Sequence, residues 1–472
     1  MQTSLCCWFL TALLIAHFPL PASAQRARPN IILIQTDDQA AWSLSLAGNR
    51  DAHTPNLDRL FREGAYLRNA FVNTPVCSPS RASLLTSRYG SELGITDWIN
   101  PRVEPDIGLD PQTVTWPKLL AEAGYVNAII GKWHLGTQPR FDPAQFGFQH
   151  FMGFRAGGVE PLNPVLEVAG QTRQMTGFTV DLVTDDALQF IRTQRDRAFA
   201  LLLNYREPHA KYVPVRDEDW AHYEKLDPAL PQPVHPDLDV PRVKKLLREY
   251  LASVTSVDRN VGRVLALLDE LKLRENTVVI FTSDHGYNIG HHGVLHKGNG
   301  RYITKGAPDT TDPSVQRPNA FDTSLRTPTA VRWPAAIKPG TTVERTITNL
   351  DWFPTILAMA GVPVPKGVIV RGHNALPLLR GRRINWNDDL YVEWSQHHYI
   401  KTHLRAYRTP HWKLVRDFLN AGKDELYNLV ADPAEEHNLI DDPAAQQSKR
   451  QLEAKLLRKL RETNDPLLKT LR

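Results

Sequence analysis

The chain has 472 residues, of which 42% are hydrophobic and 23% charged, with 35 Pro, 27 Gly and only 3 Cys. This is ordinary globular composition, which excludes disordered, collagen-like, coiled-coil and disulfide-stapled proteins. Lys and Arg outnumber Asp and Glu by 56 to 51, which gives a net charge of +5. The excess is mild and dispersed, so it is compatible with an anionic partner but gives no support for nucleic-acid binding.

The first 24 residues have the pattern of a secretory signal peptide. An apolar run from Cys6 to Phe18 is too short to span a bilayer, and the small residues Ala22-Ser23-Ala24 follow it. An uncleaved N-terminal anchor is the alternative, because no Lys or Arg precedes the run. We expect a secreted or periplasmic protein with no membrane span in the mature chain. Cys77 is then its only cysteine, and it is a buried residue, a thiol for intermolecular pairing or a site of chemistry.

The order of the predicted elements indicates an α/β fold. Apolar runs at 31–34, 125–130, 199–203 and 277–281 predict buried strands. Helical periodicity is longest from Val243 to Leu268, and Thr54-Pro55 predicts a capped helix start. Strands alternating with helices indicate a large, mostly parallel sheet sandwiched by helices. Shorter strands and a helix over 444–462 predict a C-terminal α+β subdomain with a short antiparallel sheet. The predicted units are a signal peptide at 1–24, an α/β domain at 25–380 and a C-terminal subdomain at 381–472.

Reactive side chains follow each of the four predicted strands. Ligands of open parallel sheets bind beyond the carboxyl ends of the strands. Four loops with reactive side chains in one crevice are better explained by one shared site than by four independent capping or surface roles. The segments are Asp37-Asp38, Gly131-Lys132-Trp133-His134, Glu207-Pro208-His209 and Asp284-His285-Gly286.

The acidic residues among them predict a metal site. Asp37, Asp38 and Asp284 would repel one another in one pocket unless a cation lay among them. A hard divalent ion with oxygen ligands, Ca²⁺ or Mg²⁺, fits this need. His285 adds a nitrogen ligand, which is unusual for a hard ion and leaves the identity of the metal open. A turn with Asx-type capping is the alternative for the Asp pair.

Cys77 begins the segment Cys77-Ser78-Pro79-Ser80-Arg81, at the predicted N-terminus of a helix. Free backbone N–H groups and the helix dipole stabilise anions at such a position. Arg81, one turn further, supplies a guanidinium suited to a tetrahedral oxyanion. Taken alone, these features are those expected around a cysteine whose thiol has a low pKa and whose thiolate acts as a nucleophile.

The Cys77-x-Pro79-Ser80-Arg81 segment resembles the signature of the type I sulfatases of the alkaline phosphatase superfamily. In that family the cysteine is oxidised after synthesis to Cα-formylglycine (3-oxoalanine). The resemblance extends in family order through the segments at 37–38, 54–60, 131–136 and 282–286. It departs at Ser87, where the extended motif usually has Gly.

The resemblance implies hydrolysis of sulfate esters and a role for each site residue. The implied metal ligands, with Ca²⁺ the usual ion, are Asp37, Asp38, Cys77, Asp284 and His285. The implied catalytic residues are Cys77 as nucleophile, Arg81 and Lys132 as its stabilisers, His134 as base, and His209 and Lys297 on the sulfate and the leaving oxygen. Lys305 is a rival of Lys297, because an insertion-like stretch, roughly 300–321, separates Lys297 from the next family segment at 324–328.

The implied protein is a secreted sulfatase of a sulfated small molecule or glycan, matured by a formylglycine-generating enzyme. A phosphomonoester or phosphodiester hydrolase of the same superfamily is the alternative, since some relatives use the same motif on phosphate and phosphonate esters. A non-catalytic glycan-binding descendant is disfavoured by the intact set of site residues. The aromatic and basic residues at 394–405 suit either a sulfated sugar or the edge of the subdomain, and the roles of His291 and His292 stay open.

Overall fold

This computed structural model describes residues 28–308, 310 and 312–469 of the chain. The signal peptide predicted over residues 1–24 lies outside these residues. Within the described ranges, no helix has both the length and the apolar character needed to cross a membrane.

The chain folds into nineteen strands and eleven α-helices within the described ranges. The strands are β1 (Asn30–Thr36), β2 (Ala65–Leu67), β3 (Ala70–Phe71), β4 (Val126–Lys132), β5 (His150–Phe154), β6 (Val165–Val168), β7 (Gln171–Gln174), β8 (Phe199–Asn204), β9 (Thr277–Ser283), β10 (Asn288–Ile289), β11 (Val294–His296), β12 (Arg301–Tyr302), β13 (Thr329–Arg332), β14 (Thr341–Val343), β15 (Ile347–Thr348), β16 (Leu390–Gln396), β17 (Thr402–Arg408), β18 (Trp412–Asp417) and β19 (Glu425–Asn428). The helices are α1 (Pro55–Glu63), α2 (Cys77–Thr86), α3 (Gly90–Leu93), α4 (Trp116–Glu122), α5 (Thr179–Gln194), α6 (Asp217–Trp220), α7 (Val240–Glu270), α8 (Asp322–Leu325), α9 (Trp352–Ala360), α10 (Leu376–Leu379) and α11 (Gln446–Thr463).

A ten-stranded sheet forms the centre of the fold, in the order β14-β2-β13-β9-β1-β8-β4-β5-β6-β7. The four strands predicted from apolar runs are the adjacent strands β9, β1, β8 and β4, and they pair in parallel. Antiparallel pairing occurs towards the edges, between β13 and its two neighbours and from β5 to β7. The predicted large, mostly parallel sheet is therefore confirmed.

Helices cover both faces of this sheet because side chains of the central strands alternate between two hydrophobic layers. In β1, Ile31 and Leu33 pack into the layer that includes α4 and α9. Ile32 and Ile34 pack into the opposite layer, which includes α1, α5 and α7. The periodicity that predicted a long helix is the buried stripe of α7 in that second layer.

The start of α1 differs in one detail from the sequence prediction. Thr54 occupies the N-cap position, but its side chain makes no hydrogen bond to the helix backbone. Its hydroxyl donates to Asp58 at 3.1 Å and accepts from the backbone N–H of Ser45 at 3.0 Å. The predicted side-chain cap is wrong because the hydroxyl is used by Ser45 and by the Asp58 carboxylate of the same helix.

A second sheet of four antiparallel strands, β16-β17-β18-β19, follows the first in the chain. Helix α11 packs against it through the buried residues Leu452, Leu456 and Leu460. The small antiparallel sheet with its terminal helix is as predicted, whereas the exact boundary at residue 380 stays a prediction.

A buried ion cluster joins the two parts of the fold. Asp322 begins α8, and its carboxylate accepts hydrogen bonds from Arg408 in β17 at 2.9–3.1 Å. Lys413 in β18 donates to the same carboxylate at 2.9 Å and also contacts Glu435. Burial opposes ionisation of Asp322, but Lys413 and Arg408 hold the pKa of its carboxyl below its ordinary value. One carboxylate thus neutralises cations from two strands of the second sheet.

Replacing Asp322 with Ala is expected to lower the free energy of unfolding by about 3–5 kcal/mol, because it leaves buried cations without their partner. Urea unfolding of the variant and the wild type measures this difference. Asp196→Ala is the matched control, since its side chain is 87% exposed and its removal should change stability by less than about 0.5 kcal/mol. Equal stability losses in the two variants would contradict the proposed importance of the cluster.

Candidate active site

The register of the central strands brings the predicted site segments to one edge of the sheet. Thr36 at the end of β1 pairs with Ser283 at the end of β9, so the acidic residues that follow both strands become neighbours. On the other side, Gly131 of β4 pairs with Asn204 of β8. The four loops therefore surround one crevice, as the strand-end argument predicts.

The carboxylates of Asp37, Asp38 and Asp284 are buried and lie around His285. The Nδ1 of His285 donates to the carbonyl oxygen of Gly286 at 2.9 Å, so Nε2 is the acceptor in the neutral ring. Nε2 lies 3.3 Å from one oxygen of Asp38 and 3.3 Å from one oxygen of Asp284. Acceptors this close repel unless a cation or a proton lies between them, and the donor set therefore fits a metal ion.

Buried cations neutralise two of these acids. Arg81 donates to one oxygen of Asp284 from Nε at 3.0 Å and from Nη2 at 2.8 Å. The ammonium group of Lys132 contacts Asp37. Burial opposes ionisation of Asp37, but Lys132 holds the pKa of its carboxyl well below the ordinary value. A guanidinium and an ammonium group thus line the same cavity, where they can screen the charge of an anionic substrate.

Lys297 supplies the third cation. Its Nζ lies 2.7 Å from Asp38 Oδ1 and is buried with it. Lys305 is exposed, and its backbone N–H bonds to the carbonyl oxygen of Asp237. Of the two lysines left open by the sequence, the structure brings Lys297 into the crevice.

Cys77 is the first residue of α2 and faces the acidic cluster. Its Sγ lies 2.9 Å from Lys297 Nζ, 3.5 Å from His285 Nε2 and 3.6 Å from Asp37 Oδ1. Burial alone would raise the pKa of the thiol, but Lys132 and Lys297 hold it well below its ordinary value. The cysteine and the acids, which are far apart in the sequence, therefore lie in one buried cluster.

Contacts that sequence reasoning missed fix the N-terminal turn of α2. The Ser80 hydroxyl donates to the carbonyl oxygen of Asp284, and Asn349 Nδ2 donates to the carbonyl oxygen of Ser80 at 3.1 Å. The Ser78 hydroxyl accepts from the backbone N–H of Ile99 at 3.0 Å. Ser78 and Ser80 belong to the recognised motif, but no local pattern marks Asn349 or Ile99.

Ser87, which departs from the family motif, ends α2 in a left-handed conformation with φ of 55°. Glycine is the usual residue for this conformation at a helix end. The Ser87 hydroxyl donates to the carbonyl oxygen of Leu350 at 2.7 Å and accepts from the backbone N–H of Gly372 at 2.9 Å. These two hydrogen bonds link the end of α2 to the segments that contain Leu350 and Gly372.

His134 presents a free acceptor inside the crevice. Its Nε2 lies 3.0 Å from the carbonyl oxygen of Ile99 and therefore carries the proton. Its Nδ1 is buried without a hydrogen-bond partner in the described part of the chain. Burial, together with the ammonium group of Lys132, lowers the pKa of His134 to about 4. The ring is therefore neutral at neutral pH, with the lone pair of Nδ1 unprotonated and unshared.

His209 lies at the mouth of the crevice, where 28% of its side chain is exposed. Nδ1 donates to the carbonyl oxygen of Ala210 at 2.7 Å, and Nε2 lies 3.9 Å from Asp38 Oδ2. Partial burial lowers the pKa of His209, although Asp38 opposes this effect. Nε2 is thus the atom that can exchange a proton with a bound molecule.

The insertion at 300–321 supports the lysine loop. Near its end, Asn319 Nδ2 donates to the carbonyl oxygens of Lys297 at 3.0 Å and of Gly298 at 3.3 Å. The backbone N–H of Gly298 in turn bonds to Pro75, which precedes α2. The end of the insertion therefore positions the segment that carries Lys297.

Two sequence models of known families match the chain. The family described as Sulfatase matches residues 29–362, and the one described as N-sulphoglucosamine sulphohydrolase, C-terminal, matches residues 317–463. This chain belongs to the sulfatase family. The resemblance seen in the motifs is thereby confirmed, within the alkaline phosphatase superfamily, and the class of enzyme is that of the sulfuric ester hydrolases.

Individual sulfatases resemble the chain along most of its length. The N-acetylglucosamine-6-O-sulfatase of Bacteroides thetaiotaomicron is 26% identical, over 97% of this chain and 91% of the relative. The steryl-sulfatase of Mus musculus is 29% identical, over 90% and 78%. A protein solved with its substrate D-glucosamine-2-N,6-O-disulfate is similar in fold, with a TM-score of 0.80, 23% identity and coverage of 93% and 99%.

Proposed function

We propose that this sulfatase is exported and hydrolyses sulfate esters of a carbohydrate, using a formylglycine hydrate made from Cys77 and a divalent metal ion. The observation that carries the proposal is the convergence of Cys77 with three potential metal ligands. The Sγ atom and one ligand atom each from Asp37, Asp284 and His285 all lie within 4.8 Å of one another. The carbohydrate substrate is supported by the N-acetylglucosamine-6-O-sulfatase among the relatives.

The proposed metal ligands are Asp37, Asp38, Asp284, His285 and the modified residue 77. Carboxylate oxygens predominate, which favours Ca²⁺ with Mg²⁺ as the alternative. When bound, the ion would screen the negative charge of the sulfate group.

Removing this ion with a chelator is expected to lower kcat/KM for an aryl sulfate by at least about 100-fold, because the metal supplies part of the charge stabilisation. Elemental analysis before and after chelation identifies the ion, and adding back Ca²⁺ or Mg²⁺ separately shows which restores activity. Full activity in protein shown to be metal-free would contradict the proposed metal site.

The side chains of the crevice suit the two halves of the reaction. One hydroxyl of the hydrate would attack sulfur and give its proton to a carboxylate that faces residue 77, such as Asp37, whose Oδ1 lies 3.6 Å from the Sγ atom. The alcohol would leave with a proton from Nε2 of the cationic form of His209, because Nδ1 already donates to Ala210. The second hydroxyl then loses its proton to the free Nδ1 of His134, which expels sulfate and restores the aldehyde. Arg81, Lys132 and Lys297 balance the charge that develops on the sulfate oxygens.

Separate substitutions of the two histidines are expected to slow different halves of the reaction. His134→Ala should release about one equivalent of alcohol rapidly and then turn over about 100-fold more slowly, because the second step lacks its base. His209→Ala should show no such burst, because the first step is slowed. Rapid-mixing kinetics with an aryl sulfate distinguish the two patterns. A burst with His209→Ala and none with His134→Ala would reverse the assigned roles.

Two measurements test the proposed function: the mass of the peptide that contains residue 77, and the preference of the enzyme for sulfate over phosphate esters. Intact mass of the peptide that contains residue 77, from the native host, should show the aldehyde in place of the thiol. Unmodified cysteine throughout would favour a glycan-binding protein. The ratio of kcat/KM for matched aryl sulfate and aryl phosphate should favour sulfate, and a clear preference for phosphate would favour the phosphoester hydrolase. A panel of defined sulfated oligosaccharides then identifies the sugar.

A further inference from the structure

A second group of side chains that are able to ligate a metal ion lies outside the crevice, and we call His397, His398 and Glu104 the histidine clamp. His397 Nε2 lies 2.5 Å from Glu104 Oε1, and His398 Nε2 lies 3.0 Å from Glu104 Oε2. Both imidazole rings thus direct the same nitrogen towards one carboxylate. The histidines follow β16, and Glu104 lies almost three hundred residues earlier in the chain, so only the tertiary fold assembles the clamp.

Neighbouring groups hold the clamp in this arrangement. The buried carboxylate of Asp97 accepts from the backbone N–H of His397 at 3.0 Å and of His398 at 3.3 Å. The ring of Trp98 packs on His398 with a centroid distance of 4.5 Å. These contacts fix the backbone of both histidines and the ring of His398, so little rearrangement would be needed for an ion to bind.

The donor set favours a transition metal over a hard cation. Two imidazole nitrogens and one carboxylate are a ligand set used by Zn²⁺. The carbonyl oxygen of Trp98 lies 3.1 Å from His398 Nε2, so this nitrogen carries a proton that a bound ion would have to displace. Asp97 Oδ2 lies 4.0 Å from Nδ1 of His397, the ring nitrogen that does not face Glu104. The side chain of His397 is 43% exposed, which gives an ion a path from solvent.

We propose that the histidine clamp binds a divalent transition-metal ion such as Zn²⁺, at a site separate from the catalytic metal. The ion would cross-link the segment 97–104 to the loop between β16 and β17. The same segment carries Ile99, which bonds to His134 and to Ser78 at the N-terminus of α2. Occupancy of the clamp would therefore brace the wall of the crevice that holds the proposed base.

The test uses the full-length mature protein with its catalytic site saturated by Ca²⁺, and Co²⁺ as the spectroscopic probe for Zn²⁺. Equilibrium dialysis should show about one equivalent of bound Co²⁺ with visible absorption, displaced by Zn²⁺. His397→Ala and His398→Ala should each weaken binding by at least about 100-fold, and Glu104→Gln, which preserves shape, by at least about tenfold. Zn²⁺ should raise the Tm of the wild type more than that of the three variants.

Two controls separate this site from others on the protein. His150 lies 2.6 Å from Asp186 and is 39% exposed, so it offers one imidazole and one carboxylate without a second ring. Co²⁺ binding should be unchanged in His150→Ala. It should also be unchanged in Asp284→Asn, whose loss of activity tests the proposed function independently. Absence of Co²⁺ binding to the wild type, or binding that persists in both clamp histidine variants, would overturn the proposal.

Discussion

Replacing Cys77 with Ala is expected to lower kcat/KM for an aryl sulfate by about 10⁴-fold or more, the scale seen when a nucleophile is removed from a preorganised site. The side chain is buried at the start of α2, and its sulfur lies 2.9 Å from Lys297 and 3.6 Å from Asp37. Alanine provides no precursor of the aldehyde, while the surrounding charges remain. Steady-state kinetics with matched protein concentrations measure the effect.

Cys77→Ser is the informative companion of this variant. A serine hydroxyl can accept the sulfate group but has no second hydroxyl to expel it, so we expect one turnover followed by a stalled enzyme. Both variants should keep the free energy of unfolding of the wild type to within about 1 kcal/mol, because each changes only the sulfur atom of one small side chain. Sustained turnover by Cys77→Ala within tenfold of the wild type would refute the role of residue 77.

Replacing Lys297 with Ala is expected to lower kcat/KM by about 10²–10³-fold, comparable with the loss of one preorganised charge-stabilising donor. Its ammonium group is buried between Asp38 at 2.7 Å and Cys77 at 2.9 Å, where the low dielectric strengthens its effect on a bound anion. The same aryl sulfate assay measures the loss. A larger fall in kcat than in affinity would indicate that the lysine acts on the developing charge.

Lys305→Ala is the matched control, because it removes the same ammonium group from the neighbouring insertion at 300–321. Lys305 is exposed, so its removal should change kcat/KM by less than about twofold. Loss of activity with Lys305→Ala and normal activity with Lys297→Ala would assign the family's lysine to position 305.

The fold class was readable from local patterns because burial imposes them. The central strands are covered on both faces, so they appear as continuous apolar runs, and α7 appears as a long stripe because one of its faces is buried. Element ends were less predictable. The strand predicted at 125–130 instead spans Val126–Lys132, since pairing with neighbouring strands rather than local composition sets its length.

The composition of the crevice was also largely visible in advance, because strand ends and the motif around Cys77 are local features. The groups that orient it were not. Asn349 and Ile99 act through an amide and a backbone carbonyl, and such contacts have no sequence signature. The histidine clamp could not be predicted either. From the sequence, the segment at 394–405 suited a sulfated sugar or the edge of the subdomain, and only the folded structure shows Glu104 beside its histidines.

By itself, the sequence determined the α/β class, the family and the residues that gather at the strand ends, because periodicity and short motifs are set by neighbouring residues. Only the tertiary structure decided that Lys297 rather than Lys305 enters the crevice, that His134 presents a free Nδ1, and that Glu104 lies beside His397 and His398. Those outcomes depend on distances between segments far apart in the chain, and packing of the complete fold sets such distances.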